Sequence, residues 1–286
     1  MRIIERYFFL ERRRALIIRF YRILLKNQIS TPYLSGDAFS KLCDYAPFGK
    51  DGSKSLNLKR LRKANSLFVP GHRLNQLLAE NYSDISAKIL VCGNSDENFD
   101  FDPKLPDSVD LWLCQNYAVA DGKGTCLPIG LENLRLGKSG FRRYQKRIES
   151  QSIEDKILVP PMQFTNPIRE QVLAICLSMP EIFDVFTEYL PTSEYFELIG
   201  KYKYVFVLEG NGYDSHRLWE VLYKGGVPVM MRTKWSEQIT KFGFAHILVD
   251  NFDHSFFQSE IESTRLENDQ GYLFIDYWAK LFEKYR

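Results

Sequence analysis

The sequence lacks the cysteine and hydrophobic patterns that define several large protein classes. Its five cysteines are an odd number with no C-x-x-C pair, so we expect free thiols in a reducing compartment rather than disulfides or a zinc site. It has no run of about 18 apolar residues and no recognisable signal peptide, so no membrane span is predicted. The net charge of +2 argues against nucleic acid as a partner.

Familiar catalytic motifs are also missing. The sequence has no Walker P-loop, no G-x-G-x-x-G fingerprint and no G-x-S-x-G elbow, so NTPase, dehydrogenase and serine hydrolase chemistry are unsupported. The histidines show no H-x-x-x-H spacing, and no metal site is predicted. A D-F-D triplet at 100–102 has the form of a metal-binding D-x-D. It lies in a polar loop before Pro103, and we interpret it as solvated surface.

What the sequence does contain is an alternation of short apolar runs and helical segments. Apolar residues make up 45% of the chain, enough for a large core. Runs such as ILVCG and VFVLEG end in small or polar residues, as parallel strands do when their loops form a crevice. The alternation occurs twice, on either side of a basic stretch at 136–156 that we interpret as a helix and linker. We predict an α/β protein with two Rossmann-like domains facing a cleft, residues 1–150 and 151–286.

The opening stretch, RIIERYFFLERRRALIIRFYRILLKNQ, mixes arginines with large apolar side chains. Residues 1–27 fit a surface helix packed on the protein. The less favoured alternative is a basic amphipathic helix that lies on the anionic inner face of a membrane. The second interpretation would give a cytoplasmic protein a peripheral membrane contact.

The most informative stretch is VFVLEGNGYDSHRLWEVLYKGGVPVMM. An apolar strand leads through a Gly-Asn-Gly turn into a helix that begins near Asp214 or Ser215, either of which can cap it. Free N–H groups at the helix start favour a phosphate, and Arg217 adds a charged fork. His216 and Glu220 share a helix face, where a carboxylate can accept both hydroxyls of a ribose. The alternative is a plain turn followed by a local ion pair between Arg217 and Glu220.

This stretch resembles the donor-binding element of GT-B glycosyltransferases of the exostosin-like and bacterial polysaccharide-building kind. The matching residues form H-R-x-W-E followed by L-x-x-G-x-x-P-V, at His216, Arg217, Trp219, Glu220, Leu222, Gly225, Pro228 and Val229. The resemblance implies that Glu220 holds the ribose of a nucleotide-sugar, and that His216 and Arg217 meet its diphosphate. It also implies reaction without a metal or other cofactor. The full predicted donor site is Gly210, Asn211, Gly212, Asp214, Ser215, His216, Arg217 and Glu220.

The acceptor side of such a reaction needs a base, which in inverting enzymes of this group comes from the amino-terminal half. Three carboxylates stand at predicted strand ends there, and we rank them Asp96, then Asp37, then Glu132. Loop or cap chemistry is the alternative for each. Three strand-end asparagines fit either sugar hydroxyl binding or helix capping, namely Asn94, Asn116 and Asn133.

The sequence therefore predicts a cytoplasmic glycosyltransferase that moves a sugar from a nucleotide-sugar to a growing surface polysaccharide or a lipid-linked glycan. Two other interpretations stay open. One is a non-catalytic nucleotide- or sugar-binding component of a polysaccharide synthesis complex. The other is a nucleotide-sugar epimerase built from two Rossmann-like domains.

Overall fold

The first half of the chain contains a four-stranded parallel sheet. The structure is a computed structural model that describes residues 32–48, 56–133, 136, 140, 142–148, 151–250 and 271–286. The strands are β1 (Ser66–Pro70), β2 (Ile89–Gly93), β3 (Leu111–Cys114) and β4 (Thr125–Cys126). They are ordered β1-β2-β3-β4. The helices of this half are α1 (Gly36–Leu42), α2 (Leu58–Leu61) and α3 (Gly71–Asn81). Because every pair is parallel, the carboxyl ends of the strands share one edge.

The second half contains a five-stranded parallel sheet. Its strands are β5 (Ile153–Val159), β6 (Phe183–Val185), β7 (Tyr202–Val207), β8 (Val227–Met231) and β9 (Ile247–Val249). The helices are α4 (Ile168–Leu177), α5 (Thr192–Lys201), α6 (His216–Lys224), α7 (Lys234–Ile239) and α8 (Ile275–Glu283). The strand order is β6-β5-β7-β8-β9, so the chain reverses its direction of travel across the sheet between β5 and β7.

Burial explains why short apolar runs form these strands. Every residue of β1 and of β2 is buried, which is the pattern of a parallel sheet covered on both faces. In β5 the last three residues are buried, whereas Glu154 and Asp155 are exposed. The predicted α/β class is confirmed, with two parallel sheets and flanking helices.

Helix α6 begins where its sequence predicts and ends at a glycine. The Ser215 side chain accepts a hydrogen bond from the Arg217 N–H and caps the helix. Gly225 ends it in the left-handed conformation, with φ of 84°, which glycine adopts without a steric cost. Leu218 and Trp219 are fully buried, so this helix is anchored in the core by its apolar face.

The last helix, α8, packs on the first half of the molecule. Phe39 of α1 meets Trp278 of α8 edge to face, with ring centroids 5.3 Å apart. The Ile275 N–H donates to the Pro32 carbonyl at 2.9 Å. Buried apolar residues from both sheets and from α8 form one continuous cluster. The described residues of 151–286 therefore contribute to the core of the first half as well as the second.

Two expectations about particular segments have different outcomes. The helix predicted within 136–156 is wrong for the described residues of that range, which form only a 3₁₀ turn (Arg142–Tyr144) and the start of β5. Ile153 and Ile157 pair with β7, because strand pairing overrides the polar character of the residues between them. The helix predicted for residues 1–27 lies outside the described residues.

The thiol and membrane expectations can also be compared with the structure. All five cysteines are free and buried, as predicted: Cys43, Cys92, Cys114, Cys126 and Cys176. Within the described ranges, no helix has the combined length and apolar character that crossing a bilayer requires.

Candidate functional site

A cleft of about 380 Å³ opens at the carboxyl ends of the strands. Its larger wall comes from the segments that follow β5, β6 and β7, where the strand order reverses direction. Such a switch point is where open α/β sheets bind ligands. The opposite wall comes from the loops after β2 and β4 and includes Asp96, Ile129 and Glu132. Both halves of the chain therefore line the cleft.

Asp214 joins the two halves beneath this cleft. Its backbone N–H donates to Asn116 Oδ1 at 2.7 Å, and the Ile129 N–H donates to its Oδ2 at 2.8 Å. The Ser215 N–H and Trp219 Nε1 donate to the same carboxylate. Burial raises the pKa of Asp214 and these hydrogen-bond donors lower it, and the net result is a pKa of about 7. Asp214 lines the cleft, but both of its carboxylate oxygens already accept hydrogen bonds from other groups of the protein.

Position 212 must be glycine because a side chain of the first half lies very close to it. A Cβ at this position would lie 2.4 Å from Asn116 Nδ2. Asn116 is fixed in place, because its amide donates to the carbonyl oxygens of Ser95 and Glu97. Glycine at 212 lets the loop approach the first half closely, whereas a Cβ at Gly210 would meet only Arg169 Nη2, at 3.5 Å.

We expect Gly212→Ala to lower the free energy of unfolding by about 2 kcal/mol, because the added methyl overlaps a held side chain. Gly210→Ala is the matched variant, and we expect it to change stability by less than about 0.5 kcal/mol. Urea unfolding followed by tryptophan fluorescence measures both. Equal effects at the two positions would contradict the close approach at Gly212.

Two arginines contribute positive charge to the cleft. Arg169 is buried and donates to three backbone carbonyl oxygens, those of Gln163, Leu208 and Glu209. Burial, and then the charge of Arg217, lower the pKa of Arg169 to about 10. Arg169 therefore stays charged at neutral pH. Neither arginine forms an ion pair with a carboxylate in the part of the chain that the structure describes.

The Tyr195 hydroxyl lies between Arg217 and Glu220. Arg217 Nε donates to this hydroxyl at 3.3 Å, and the hydroxyl donates to Glu220 Oε2 at 2.8 Å. Burial and then Glu220 raise the pKa of Tyr195, so the hydroxyl keeps its proton. The local Arg217–Glu220 ion pair considered above is thus replaced by a bridge through Tyr195. Glu220 lines the cleft, and its Oε1 has no hydrogen-bond partner among the described residues.

His216 is oriented by the first half of the chain. Its Nδ1 lies 2.8 Å from the Gly130 carbonyl oxygen. A carbonyl only accepts hydrogen bonds, so we assign the ring proton to Nδ1 and the lone pair of the neutral ring to Nε2. Gly130 has a φ of 66°, and a Cβ there would lie 2.4 Å from the Leu34 carbonyl oxygen, so glycine is needed to place this acceptor.

The three candidate bases have different positions. Asp96 lines the cleft, and Asn211 Nδ2 donates to its Oδ2 at 3.2 Å. Glu132 lines the same wall and is buried. Asp37 is buried in the first turn of α1 and is not among the lining residues. The structure therefore brings Asp96 and Glu132 to the predicted donor residues but leaves Asp37 outside.

The strand-end asparagines hold the loops of the first half together. Asn94 and Asn116 adopt left-handed φ values of 52° and 56° after β2 and β3. Asn133 Nδ2 donates to Asn94 Oδ1 at 2.9 Å, and Asn133 Oδ1 accepts from the Asp37 N–H in the first turn of α1. Sugar hydroxyl binding and helix capping were the predicted roles. Asn133 accepts a hydrogen bond at a helix terminus, as a capping residue does, whereas the amide of Asn116 holds neighbouring loops.

The acidic triplet at 100–102 is engaged by tyrosines. Tyr213 donates its hydroxyl to Asp100 Oδ1 at 2.9 Å, and Tyr117 donates to Asp102 Oδ1 at 2.6 Å. The Asp100 contact adds another link between the two halves. Among the described residues, no group of three or more histidines, cysteines, aspartates and glutamates is placed to hold a metal ion.

The cleft also contains residues that the sequence did not single out, notably Arg169, Tyr189 and Tyr195. One signal could have found Arg169. It is the second residue of α4, just as Arg217 is the second residue of α6, and these helices follow the neighbouring strands β5 and β7. The two tyrosines carry no comparable signal, because their place depends on the loop and helix after β6.

Comparisons with known proteins add no assignment. No protein-family model matches the chain, and a search of curated proteins finds no match either. The functional argument therefore depends on the geometry of the cleft.

Proposed function

We propose that the protein is a glycosyltransferase of GT-B arrangement, which transfers a sugar from a nucleotide-sugar to a glycan or lipid-linked glycan. One observation supports this most strongly. Two cations and a carboxylate with an unpartnered oxygen converge at the switch point of one parallel sheet, namely Arg169, Arg217 and Glu220. They face two carboxylates of the other half, Asp96 and Glu132.

In this proposal the diphosphate lies at the start of α6. Arg169 and Arg217 supply two positive charges in a partly enclosed cleft, where electrostatic interactions are stronger than in water. The amino end of a helix adds a partial positive charge at the same place. These groups would stabilise the negative charge that the leaving diphosphate gains as the sugar–phosphate bond breaks, without a metal ion.

The ribose lies one helical turn further along α6, at Glu220. Oε2 is fixed by the Tyr195 hydroxyl, and Oε1 is available to accept a hydrogen bond from a ribose hydroxyl. Because the Tyr195 hydroxyl lies between the carboxylate and Arg217, the cation and the anion form no direct ion pair. Each can then serve a different part of the ligand.

The acceptor hydroxyl is activated from the opposite wall. Asp96 is our first candidate for the base and Glu132 the second, because both line the cleft opposite the donor residues. The Nε2 lone pair of His216 is a further polar group available at the cleft. Acceptors of the proposed kind are built at the inner face of a membrane, and the basic residues 1–27 would provide the membrane contact.

A ligand screen tests the proposal directly. A ligand that binds only the folded state raises the apparent melting temperature by mass action. We expect one of UDP, GDP, CMP and dTDP to do so with the wild-type chain. Hydrolysis of the matching nucleotide-sugar, or its transfer to a glycan, then separates an enzyme from a binding component. Interconversion of free nucleotide-sugars without an acceptor would favour an epimerase, and no stabilisation by any nucleotide would contradict the proposal.

We expect Arg217→Ala to weaken the affinity for inorganic pyrophosphate by about 10-fold, because one charge-assisted hydrogen-bonding group is lost. The control is Arg232→Ala, which removes an arginine that pairs with Asp250 outside the cleft. Calorimetric titration at two salt concentrations measures both variants. If the two arginine variants bind pyrophosphate equally well, Arg217 does not contact the diphosphate.

A further inference from the structure

The cleft that Glu220 lines also includes a tyrosine with no described contacts. Two tyrosines line the cleft, Tyr189 and Tyr195. The Tyr195 ring packs edge to face on Phe196 at 5.3 Å, and its hydroxyl holds Glu220. Tyr189 is 79% exposed and makes no hydrogen bond or ring contact with the described residues. Its ring is therefore the large aromatic surface of the cleft that remains available to a ligand.

Its position follows from the order of groups in the cleft. Arg217 and Glu220 lie on successive turns of α6, and Glu220 is tied to Tyr195 of α5. Tyr189 belongs to the segment that leads into α5 and lines the same cleft, together with Leu190 and Thr192. A nucleotide is linked in the order diphosphate, ribose, base. With its diphosphate at Arg217 and its ribose at Glu220, its base is the part left to contact the other lining residues, which include the Tyr189 segment.

We infer that Tyr189 is the stacking surface for the nucleobase of the donor. This inference rests on the proposed function. Aromatic side chains bind bases through the π-face that every base has, which gives affinity with little preference among bases. Leu190 provides apolar contact beside the ring, and the Thr192 hydroxyl provides a hydrogen-bonding group at the edge of the base. The site then recognises a nucleoside diphosphate as a whole, rather than a bare diphosphate.

The test compares ligands with and without a base. We expect Tyr189→Ala to weaken the binding of whichever of UDP, GDP, CMP and dTDP binds the wild type by about 10-fold. The affinity for inorganic pyrophosphate should stay unchanged, because that probe does not reach Tyr189. Tyr189→Trp should retain nucleotide affinity. Calorimetric titration gives all of these dissociation constants.

Phe164→Ala is the matched control, since Phe164 is 60% exposed but is not among the lining residues. It should leave the affinities for the nucleotide that binds the wild type and for pyrophosphate unchanged. The inference is overturned if Tyr189→Ala leaves the affinity for the nucleotide unchanged. It is equally overturned if the variant weakens the affinity for pyrophosphate as much as the affinity for the nucleotide. It is also overturned if Tyr189→Ala raises only the KM for an acceptor, because the ring would then support an acceptor sugar. A wild-type chain that binds neither nucleotide nor pyrophosphate would instead refute the proposed function, and the base site with it.

Discussion

Glu220→Ala is expected to abolish the proposed glycosyl transfer and to weaken nucleoside diphosphate binding by about 100-fold, because the carboxylate proposed to accept the ribose hydroxyls is lost. The fold should be retained, since the Glu220 side chain makes one described hydrogen bond, to Tyr195. Calorimetric titration and a transfer assay measure the two effects. The same variant also leaves Arg217 and the start of α6 intact, so pyrophosphate affinity should change little.

The choice of ligand and of control makes this experiment specific. A 2′,3′-dideoxynucleoside diphosphate lacks the hydroxyls that Glu220 would accept, so the wild type and Glu220→Ala should bind it equally. Glu237→Ala removes an exposed carboxylate outside the cleft and should behave as the wild type does. Unchanged transfer by Glu220→Ala, or an equal loss with the dideoxy ligand, would rule out the assigned role of Glu220.

Asp214→Ala is expected to lower the free energy of unfolding by about 3 kcal/mol. The substitution leaves the buried Trp219 Nε1 and the partly buried N–H groups of Ile129 and Ser215 without their acceptor, and each unsatisfied donor is costly. Urea unfolding measures the change. Asp121→Ala, at an exposed aspartate of the first half, should change stability by less than about 0.5 kcal/mol. A small effect at Asp214 would show that the two halves do not depend on this carboxylate.

The stability contribution of Asp214 also depends on pH. Its pKa is raised from 3.8 to about 7 by burial, so the folded chain keeps this proton to a higher pH than the unfolded chain does. Between these two values the unfolded state binds fewer protons at this site. The free energy of unfolding that Asp214 contributes therefore falls as the pH rises from about 4 to about 7. Asp214→Ala should lack this part of the wild-type pH dependence.

Local features of the chain were predictable because they depend on neighbouring residues. The apolar run at 89–93 and the glycine after α6 determine a buried strand and a helix end whatever lies around them. In the second half the parallel arrangement follows, because a helix separates each strand from the next. In the first half β2, β3 and β4 follow one another through loops, and their parallel pairing has no such local signal. The range 136–156 was harder to predict. Its pairing with β7 depends on residues about 50 positions away, which no local pattern contains.

In the candidate site, too, features set by neighbouring residues were predictable and contacts between distant residues were not. The sequence placed Arg217 and Glu220 on one helix, but it could not show that Tyr195 separates them, because that contact spans 25 residues. The sequence also proposed Asp214 as part of the donor site, whereas its oxygens accept from Ile129 and Trp219. Ranking Asp37 among the bases depended on its strand-end position alone. Which loops actually meet is decided by tertiary packing.

The packing of α8 on α1 has a consequence for building chimeric proteins from this chain. The apolar face of the closing helix, with Trp278 against Phe39, is a piece of the amino-terminal core supplied by the far end of the polypeptide. A chimera in which everything after residue 150 is replaced would lose this helix, and the apolar residues of the first half that pack on it would be exposed. A viable exchange would replace the second half only as far as residue 270 and would keep residues 271–286 of this chain.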